Sequence, residues 1–275
     1  MKQSYTLVKN ELLEHTILIR LPLFLALFAA VLVVMVLSNI NNFSFNIQMN
    51  GIDGWQPPMT SSFAGVIGSV SFFIAGIVFL LSFFTYSARA LAKERKEGSL
   101  AFWHSMPVSD GKAIAIKIFV ALIIIPLLSS LLLLFIDVTV WIVAMWVMPA
   151  DMLVENSLSL AAMGLHWGQF ISMMAAMSLA LLPIVCIIFC ASQLTEHPLL
   201  VLFVAMTLVK FISYMLFDSM AIGVWLNRVS NLAFNILTSE HPWQTLGSVG
   251  SITLFGLLII AVGLFKVSVY LRSGD

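Results

Sequence analysis

Residues 118–140 read IFVALIIIPLLSSLLLLFIDVTV, and this stretch decides the class of fold. A helix needs about 20 mostly apolar residues to cross the hydrocarbon core of a bilayer, and this run reaches that length with Asp137 as its single chargeable residue. Its uniform apolar character differs from the alternating strands of a membrane barrel, which are roughly 10 residues long. Because backbone groups inside a bilayer must be paired within the protein, the stretch predicts a membrane-spanning helix.

Five further stretches have the same character. The six predicted spans cover approximately residues 17–37, 63–86, 118–140, 170–191, 199–217 and 246–265, and apolar sequence continues beyond the third as far as Met148. Of the 275 residues, 61% are hydrophobic and 9% are charged, against about 25% charged in soluble domains. This composition excludes a soluble globular protein. We therefore predict an all-α integral membrane protein in which residues 1–275 form a single transmembrane domain.

The positions of the basic residues predict how the spans are oriented. The formal net charge is zero, which gives no indication of a nucleic-acid partner. Basic residues nevertheless cluster before or at the opening of the first span, between the second and third, and after the sixth: Lys2, Lys9, Arg20, Arg89, Lys93, Arg95, Lys96, Lys112, Lys117, Lys266 and Arg272. Short cytoplasmic segments retain positive charge, so both termini are predicted to be cytoplasmic.

Two amphipathic segments lie outside the spans. Tyr5, Val8 and Leu12 fall on one stripe of a helix whose other face carries Lys9 and Glu11, which predicts a short N-terminal helix on the membrane surface. Residues 218–245 are too polar to span twice. They fit either a re-entrant helical hairpin in the outer leaflet or an ordinary surface loop with one amphipathic helix.

The loop after the second span reads, from Tyr86, YSARALAKERKEGSLAFWHSMPVSDGKAIAIKIF. Charged residues crowd into 89–97, and Gly98 then interrupts the pattern. The following residues predict a short helix with an aromatic face, which Pro107 ends because it biases the preceding residue away from helical geometry. Ser109 or Asp110 can cap the next helix, which leads into the third span.

This order of residues resembles the inner loop of ABC transporter permease subunits, in the export class with six spans per subunit, the type V exporters. In that family a Glu-rich segment precedes a Gly-[Ser/Thr]-Leu step and a leucine or aromatic helix that ends in Ser-x-Pro-[Val/Ile]-Ser, with a Lys opening the next span. The matching positions here are Glu94, Glu97, Gly98, Ser99, Leu100, Trp103, Ser105, Pro107, Val108 and Ser109, with Lys112 or Lys117 following. The N-terminal run with Lys9, Glu11 and Leu12 also resembles the membrane-surface helix of that family. The remainder agrees only in span number, orientation and the polar segment before the last span.

The resemblance implies that the helix after Gly98 is a coupling helix that docks on a separate ATP-binding subunit. Phe102, Trp103 and Met106 would supply a buried apolar anchor, and the flanking charges a polar rim. By the same resemblance the partner, in two copies, binds ATP and Mg²⁺, and a second permease chain, identical or homologous, completes the dimer. This chain would then bind membrane lipids but no cofactor, and would not be an enzyme. A basic loop that only fixes topology is the alternative.

No phosphate-binding loop occurs in the chain, because Gly111-Lys112 lacks the upstream glycine. The predicted function is therefore that of an exporter subunit in the bacterial cytoplasmic (inner) membrane, moving a hydrophobic or amphipathic substrate with energy from its partner. An intramembrane hydrolase would need a nucleophile or a carboxylate–histidine set within the spans. A secondary transporter independent of ATP would show inverted repeats, and no repeat is visible.

Apart from Arg20 at the opening of the first span, Asp137 and Lys210 are the charged residues inside predicted spans, and both are candidates for a role in transport. Structural pairing or snorkelling is the alternative for each, and Lys210 can reach towards Asp218. His166 and the other histidines are predicted near span ends or in loops, without metal-ligand spacing, so no metal site is expected.

Overall fold

A computed structural model of the chain describes residues 2–38, 63–96, 109–217 and 221–274. These residues are almost entirely helical, with no strand among them. In chain order the helices are α1 (Lys2–Glu14), α2 (Ile17–Ser38), α3 (Gly65–Arg89), α4 (Ala92–Lys96), α5 (Asp110–Phe119 and Ile125–Val147, joined by a π-helical turn at Val120–Ile124), α6 (Ala150–Glu155), α7 (Leu160–Leu194), α8 (Pro198–Phe217), α9 (Ala221–Ser230), α10 (Leu232–Leu237), α11 (Pro242–Gly247) and α12 (Ser251–Gly274).

Within the described residues, six helices are long and apolar enough to cross a membrane: α2, α3, α5, α7, α8 and α12. The prediction of an all-helical protein with six such helices is confirmed. The core lies where α3, α5 and α7 meet, and its largest fully buried side chains include Phe79, Phe83 and Met177. By contrast, α2, α8 and α12 are mostly exposed, so they present apolar faces to their surroundings.

The third and fourth spans belong to helices that are longer than predicted. The apolar part of α5 runs from Asp110 to Trp146, or 37 residues, which is about 55 Å at 1.5 Å per residue. Helix α7 begins at Leu160 and not near residue 170, because Ser159 takes the N-cap position and its side chain accepts a hydrogen bond from the backbone N–H of Ala162 at 3.1 Å. Both helices exceed the roughly 30 Å hydrocarbon core.

The π-helical turn in α5 has a cause in the sequence. Pro126 lacks the N–H that would normally bond to the carbonyl oxygen of Leu122, and its ring crowds that carbonyl. Just before it, the backbone N–H of Ile125 bonds to the carbonyl oxygen of Val120, five residues back. Such turns widen a helix locally and are frequent at functional sites.

The polar segment before the last span folds into three short helices, α9, α10 and α11. Helix α10 is anchored against α7, and a Cβ atom on Gly76 of α3 would lie only 2.1 Å from Leu237 Cδ1, so any larger residue at position 76 would force the Leu237 side chain to move. The last span was predicted to begin at residue 246, but α12 begins at Ser251 because Gly250 adopts a φ of +91°. Insertion of this segment into the outer leaflet stays a prediction.

Buried polar side chains occur at both ends of the helix bundle. The charged end contains α1, α4, the start of α5 and the end of α12. The opposite end contains the start of α3, the end of α5, α6 and the start of α7. The charged end corresponds to the side predicted to face the cytoplasm.

Candidate functional site

A buried ion pair fastens the N-terminal helix to the third span. Lys117 Nζ lies 2.7 Å from Oε1 and 2.8 Å from Oε2 of Glu11, and both side chains are buried. Leu7, Glu11 and His15 recur at intervals of four and form the buried face of the α1 region. The prediction that Glu11 lies on the polar face with Lys9 is therefore wrong, because its carboxylate has a buried cationic partner that the helical pattern alone does not reveal.

Lys117 also pairs with the carboxylate of Glu94, which in turn pairs with Arg272 at the end of the last span. Lys117 Nζ is 3.1 Å from Glu94 Oε1, and Arg272 Nη1 donates to Glu94 Oε2 at 2.7 Å. Arg272 Nε also donates to Asp110 Oδ1 at 3.0 Å. We call Glu11, Glu94, Asp110, Lys117 and Arg272 the ion network. It connects α1, α4, α5 and α12 at the charged end.

Tyr86 and His15 close one side of the ion network. Tyr86 donates its hydroxyl hydrogen to Glu11 Oε1 at 2.9 Å. The ring of His15 packs edge-on against Tyr86, with centroids 5.1 Å apart. Burial, the largest effect, lowers the pKa of His15 from 6.5 to about 4, although the Glu11 carboxylate opposes this shift. His15 is therefore neutral at physiological pH and adds no positive charge to the network.

We expect His15 to make folding stability depend on pH. Folding lowers the pKa of His15 from 6.5 to about 4. The contribution of buried, neutral His15 to the free energy of unfolding is therefore fully present above pH 6.5 and is lost as the pH falls towards 4. The Tm measured in detergent should therefore fall more steeply, as the pH is lowered through this window, in the natural protein than in His15→Gln. Parallel curves for the two proteins would show that His15 titrates equally in the folded and unfolded states.

The ion network holds both stems of the inner loop. Glu94 lies just before the loop, and Asp110 is the first residue of α5 after it. Ser109 has the extended backbone of an N-cap residue, and its carbonyl oxygen accepts from the backbone N–H of Lys112 at 2.9 Å, although its side chain makes no capping bond. Arg272 therefore bridges the two stems directly.

The predicted coupling helix lies outside the described residues. This holds for Glu97, Gly98, Ser99, Leu100, Phe102, Trp103, Ser105, Met106 and Pro107. Glu94, predicted by resemblance to contact an ATP-binding subunit, is only 1% exposed and serves the ion network of its own chain. Its carboxylate can thus position the loop without touching a partner.

A second buried pair lies near the opposite end. Asp137 Oδ2 and His166 Nδ1 are 2.8 Å apart, and neither residue is exposed. His166 was expected just before the fourth span; because α7 starts earlier than predicted, this residue lies inside the helix, about two turns from its first residue, and is buried. Ser159 was the available signal, since serine before an apolar helix is a common N-cap.

The other intramembrane candidate, Lys210, does not meet Asp137. Its Nζ donates to Asn227 Oδ1 at 2.5 Å, between α8 and α9, and this contact is exposed. Asp218, the partner considered from the sequence, lies outside the described residues. The two charges predicted within spans thus belong to separate sites.

An apolar groove of about 560 Å³ runs between α5 and α7. It is lined by Leu122, Ile123, Pro126, Leu127, Ser130, Ile171, Met174, Ala175, Ser178, Leu179 and Leu182. The π-helical turn and Pro126 form one wall, and the hydroxyls of Ser130 and Ser178 are the polar groups within the lining. The groove can therefore accommodate an apolar chain with few polar contacts.

Comparison of the chain with protein-family models, with curated proteins and with solved structures finds no match. In the described residues, no group of three or more His, Cys, Asp or Glu side chains is placed to hold a metal ion. The features that bear on function are therefore the ion network, the buried Asp137–His166 pair and the apolar groove.

Proposed function

We propose that this chain is the membrane-spanning permease subunit of an ATP-driven exporter. A separate ATP-binding subunit, present in two copies, docks on the inner loop, and a second permease chain, identical or homologous, completes the dimer. The chain lies in the bacterial cytoplasmic membrane with its charged end facing the cytoplasm. ATP and Mg²⁺ are bound by the partner, and this chain has no catalytic residue of its own.

The ion network is the observation that carries this proposal. A force applied to the inner loop reaches the membrane through the loop's two stems, and Arg272 joins the stems through Glu94 and Asp110. Lys117 extends the connection to Glu11 in α1. Pulling a buried charge away from its partner leaves it uncompensated, which is strongly unfavourable. These elements are therefore expected to move together, as transmission of ATP-driven closure requires.

The apolar groove supports the predicted class of cargo. Its lining is almost entirely aliphatic, and it lies between α5 and α7, the two longest spans. The inner loop leads directly into α5, so movement of the loop stems would change the groove's wall. A hydrophobic or amphipathic substrate matches this lining better than a polar sugar does.

Purification of the tagged chain from its native membrane in mild detergent tests the proposal. We expect a stoichiometric polypeptide with a phosphate-binding loop and ATPase activity to co-purify. A chain that repeatedly purifies without such a partner, under conditions that preserve a known transporter complex, would contradict the exporter assignment.

We expect Arg272→Gln to reduce the coupling of ATP hydrolysis to movement of the spans while the partner remains bound. The substitution removes the cation that bridges Glu94 and Asp110 but leaves the predicted docking residues intact. The readout is the response of a fluorophore on the charged end of α5 to added ATP. Lys266→Gln, on the same helix but exposed, is the matched control. An undiminished response in Arg272→Gln would remove the ion network from the coupling path.

The Asp137–His166 pair favours a second candidate function, a proton-coupled transporter. Buried chargeable pairs within spans often form proton relays. Such a transporter would work without an ATP-binding partner, so the same purification separates the two functions. A hydrolase is less well supported, since His166 Nε2 has no hydrogen-bond partner among the described residues and thus no adjacent nucleophile.

A further inference from the structure

The Asp137–His166 pair ties α5 to α7 through one hydrogen bond of 2.8 Å. Two polar atoms of the pair, Asp137 Oδ1 and His166 Nε2, are buried and make no hydrogen bond within the described part of the chain. Leaving a buried polar atom unpaired is energetically unfavourable. An arrangement retained at that cost inside a membrane is a candidate functional site.

Aromatic side chains enclose the pair. The ring of His166 lies 5.6 Å from that of Phe63 and 5.3 Å from that of Phe72, measured between centroids. Phe170 packs edge-on against Phe72. These side chains offer neither a cation nor a hydrogen-bond donor, so the pair must balance its own charge.

Few chargeable groups occur in the elements around the pair. Helix α2 has none from Leu21 to Ser38, α3 has none from Gly65 to Leu80, and α5 has none besides Asp137 from Val120 to Val147. Near the pair, α7 contributes only His166 itself, and α6 contributes Asp151, which is exposed, and Glu155. Helices α10 and α11 also pack against α7, and the segment between them carries Glu240 and His241, which are both exposed. Asp151, Glu155, Glu240 and His241 are therefore the groups to be controlled for.

Charge balance decides how many protons the buried pair holds. With one hydrogen, shared between Nδ1 and Oδ2, the pair carries a net charge of −1. A second proton on Nε2 makes the pair neutral, whichever of the two residues holds the shared hydrogen. Because an uncompensated charge in an apolar, aromatic enclosure is very costly, the buried pair strongly favours the neutral form.

The Asp137–His166 pair is covered by residues at the start of α3, the end of α5 and the segment between α6 and α7. Phe63 is fully buried against His166, and the backbone N–H of Ala64 donates to the carbonyl oxygen of Asn156 at 2.9 Å. Leu158 and Val140 pack in the same cluster as Phe63. Among the described residues, separation of this cluster would expose the pair to water.

From this arrangement we infer that Asp137 and His166 form a proton-binding site that is linked to closure of the opposite end. The closed state holds one proton on the pair that the opened, hydrated state releases to water above neutral pH. Raising the pH therefore favours opening, by up to tenfold per pH unit for one proton. The inference does not rest on an ATP-binding partner.

Cysteine accessibility tests the inference in the purified full chain in lipid nanodiscs. Cys186 and Cys190 are replaced by Ala, and Val140→Cys places a thiol of similar size one turn from Asp137, in a residue that is 3% exposed. Its rate of reaction with a charged maleimide is measured from about pH 5 to 9. Each rate is divided by that of Ala161→Cys, an exposed position, to correct for ionisation of the thiol.

We expect the corrected rate to rise with pH in the natural sequence. This rise should be lost in Asp137→Asn, because neutral His166 beside an amide needs no further proton when the site closes. In His166→Gln the buried carboxyl alone still takes up a proton on closing but releases it at lower pH when hydrated, so the rise should begin at a more acidic pH. Asp151→Asn with Glu155→Gln, and Glu240→Gln with His241→Gln, should retain the natural profile. A flat profile in the natural sequence, or the natural profile in either Asp137→Asn or His166→Gln, would overturn the inference. A purely structural pair would change the rate equally at every pH.

Discussion

Replacing Trp103 and Met106 together with Ala is expected to abolish binding of the ATP-binding subunit while the chain remains inserted in the membrane. The two side chains are the predicted apolar anchors of the coupling helix. Anchor residues at the centre of an interface commonly contribute about 2 kcal/mol or more each, so the double variant should weaken binding by on the order of a thousandfold. Co-purification of the partner and its ATPase activity in the complex are the measurements.

The opposite end offers a matched control for this double variant. Met145→Ala with Trp146→Ala removes the same two side-chain types, and both natural residues are exposed near the end of α5. We expect this control to retain the partner. Equal loss in both variants would indicate a general effect of truncating large apolar residues, and retention in both would remove the anchor role from Trp103 and Met106.

Lys117→Met is expected to produce the largest loss of stability of any single substitution in the ion network. Lys117 is the cation between Glu11 and Glu94, and all three side chains are buried. Removing it leaves a buried carboxylate without compensation, which costs about 3–5 kcal/mol. The free energy of unfolding in detergent measures the effect, and Lys9→Met, on the exposed side of α1, should change it little.

A compensating substitution separates charge balance from packing. Glu11→Gln combined with Lys117→Met removes one carboxylate together with the cation, and Gln can still accept the hydrogen bond from Tyr86. We expect the double variant to be more stable than Lys117→Met alone. If the double variant is instead less stable, the loss arises from packing of the lysine stem and not from the unpaired charge.

The six spans could be predicted from the sequence because each is a local property. A run of about 20 apolar residues must bury its backbone polar groups in a helix, whatever surrounds it. The start of α5 was also predicted correctly, since Ser109 occupies the N-cap position directly before Asp110. The first residues of α7 and α12 were predicted wrongly, because hydrophobic composition alone does not show where a helix starts. Ser159 and Gly250 set these two starts.

The pairing of charged residues could not be predicted in this way. Glu11 and Lys117 are 106 residues apart, and Asp137 and His166 are 29 apart, so neither pair has a local signal. The helical stripe of Tyr5, Val8 and Leu12 predicts that Glu11 lies on the polar face with Lys9. Its partner becomes visible only when α1 packs against the start of α5. Tertiary contact therefore overrides the amphipathic pattern at this position.

Photo-crosslinking from position 103 tests most directly the central claim that the inner loop docks on an ATP-binding subunit. A photoreactive amino acid replaces Trp103 in the tagged chain, cells are irradiated, and the crosslinked polypeptide is identified by mass spectrometry. Leu160, exposed at the opposite end, is the control position. We predict a crosslink from position 103, and not from 160, to a polypeptide with a phosphate-binding loop. Crosslinks from position 103 only to lipid or to this chain itself would contradict the claim.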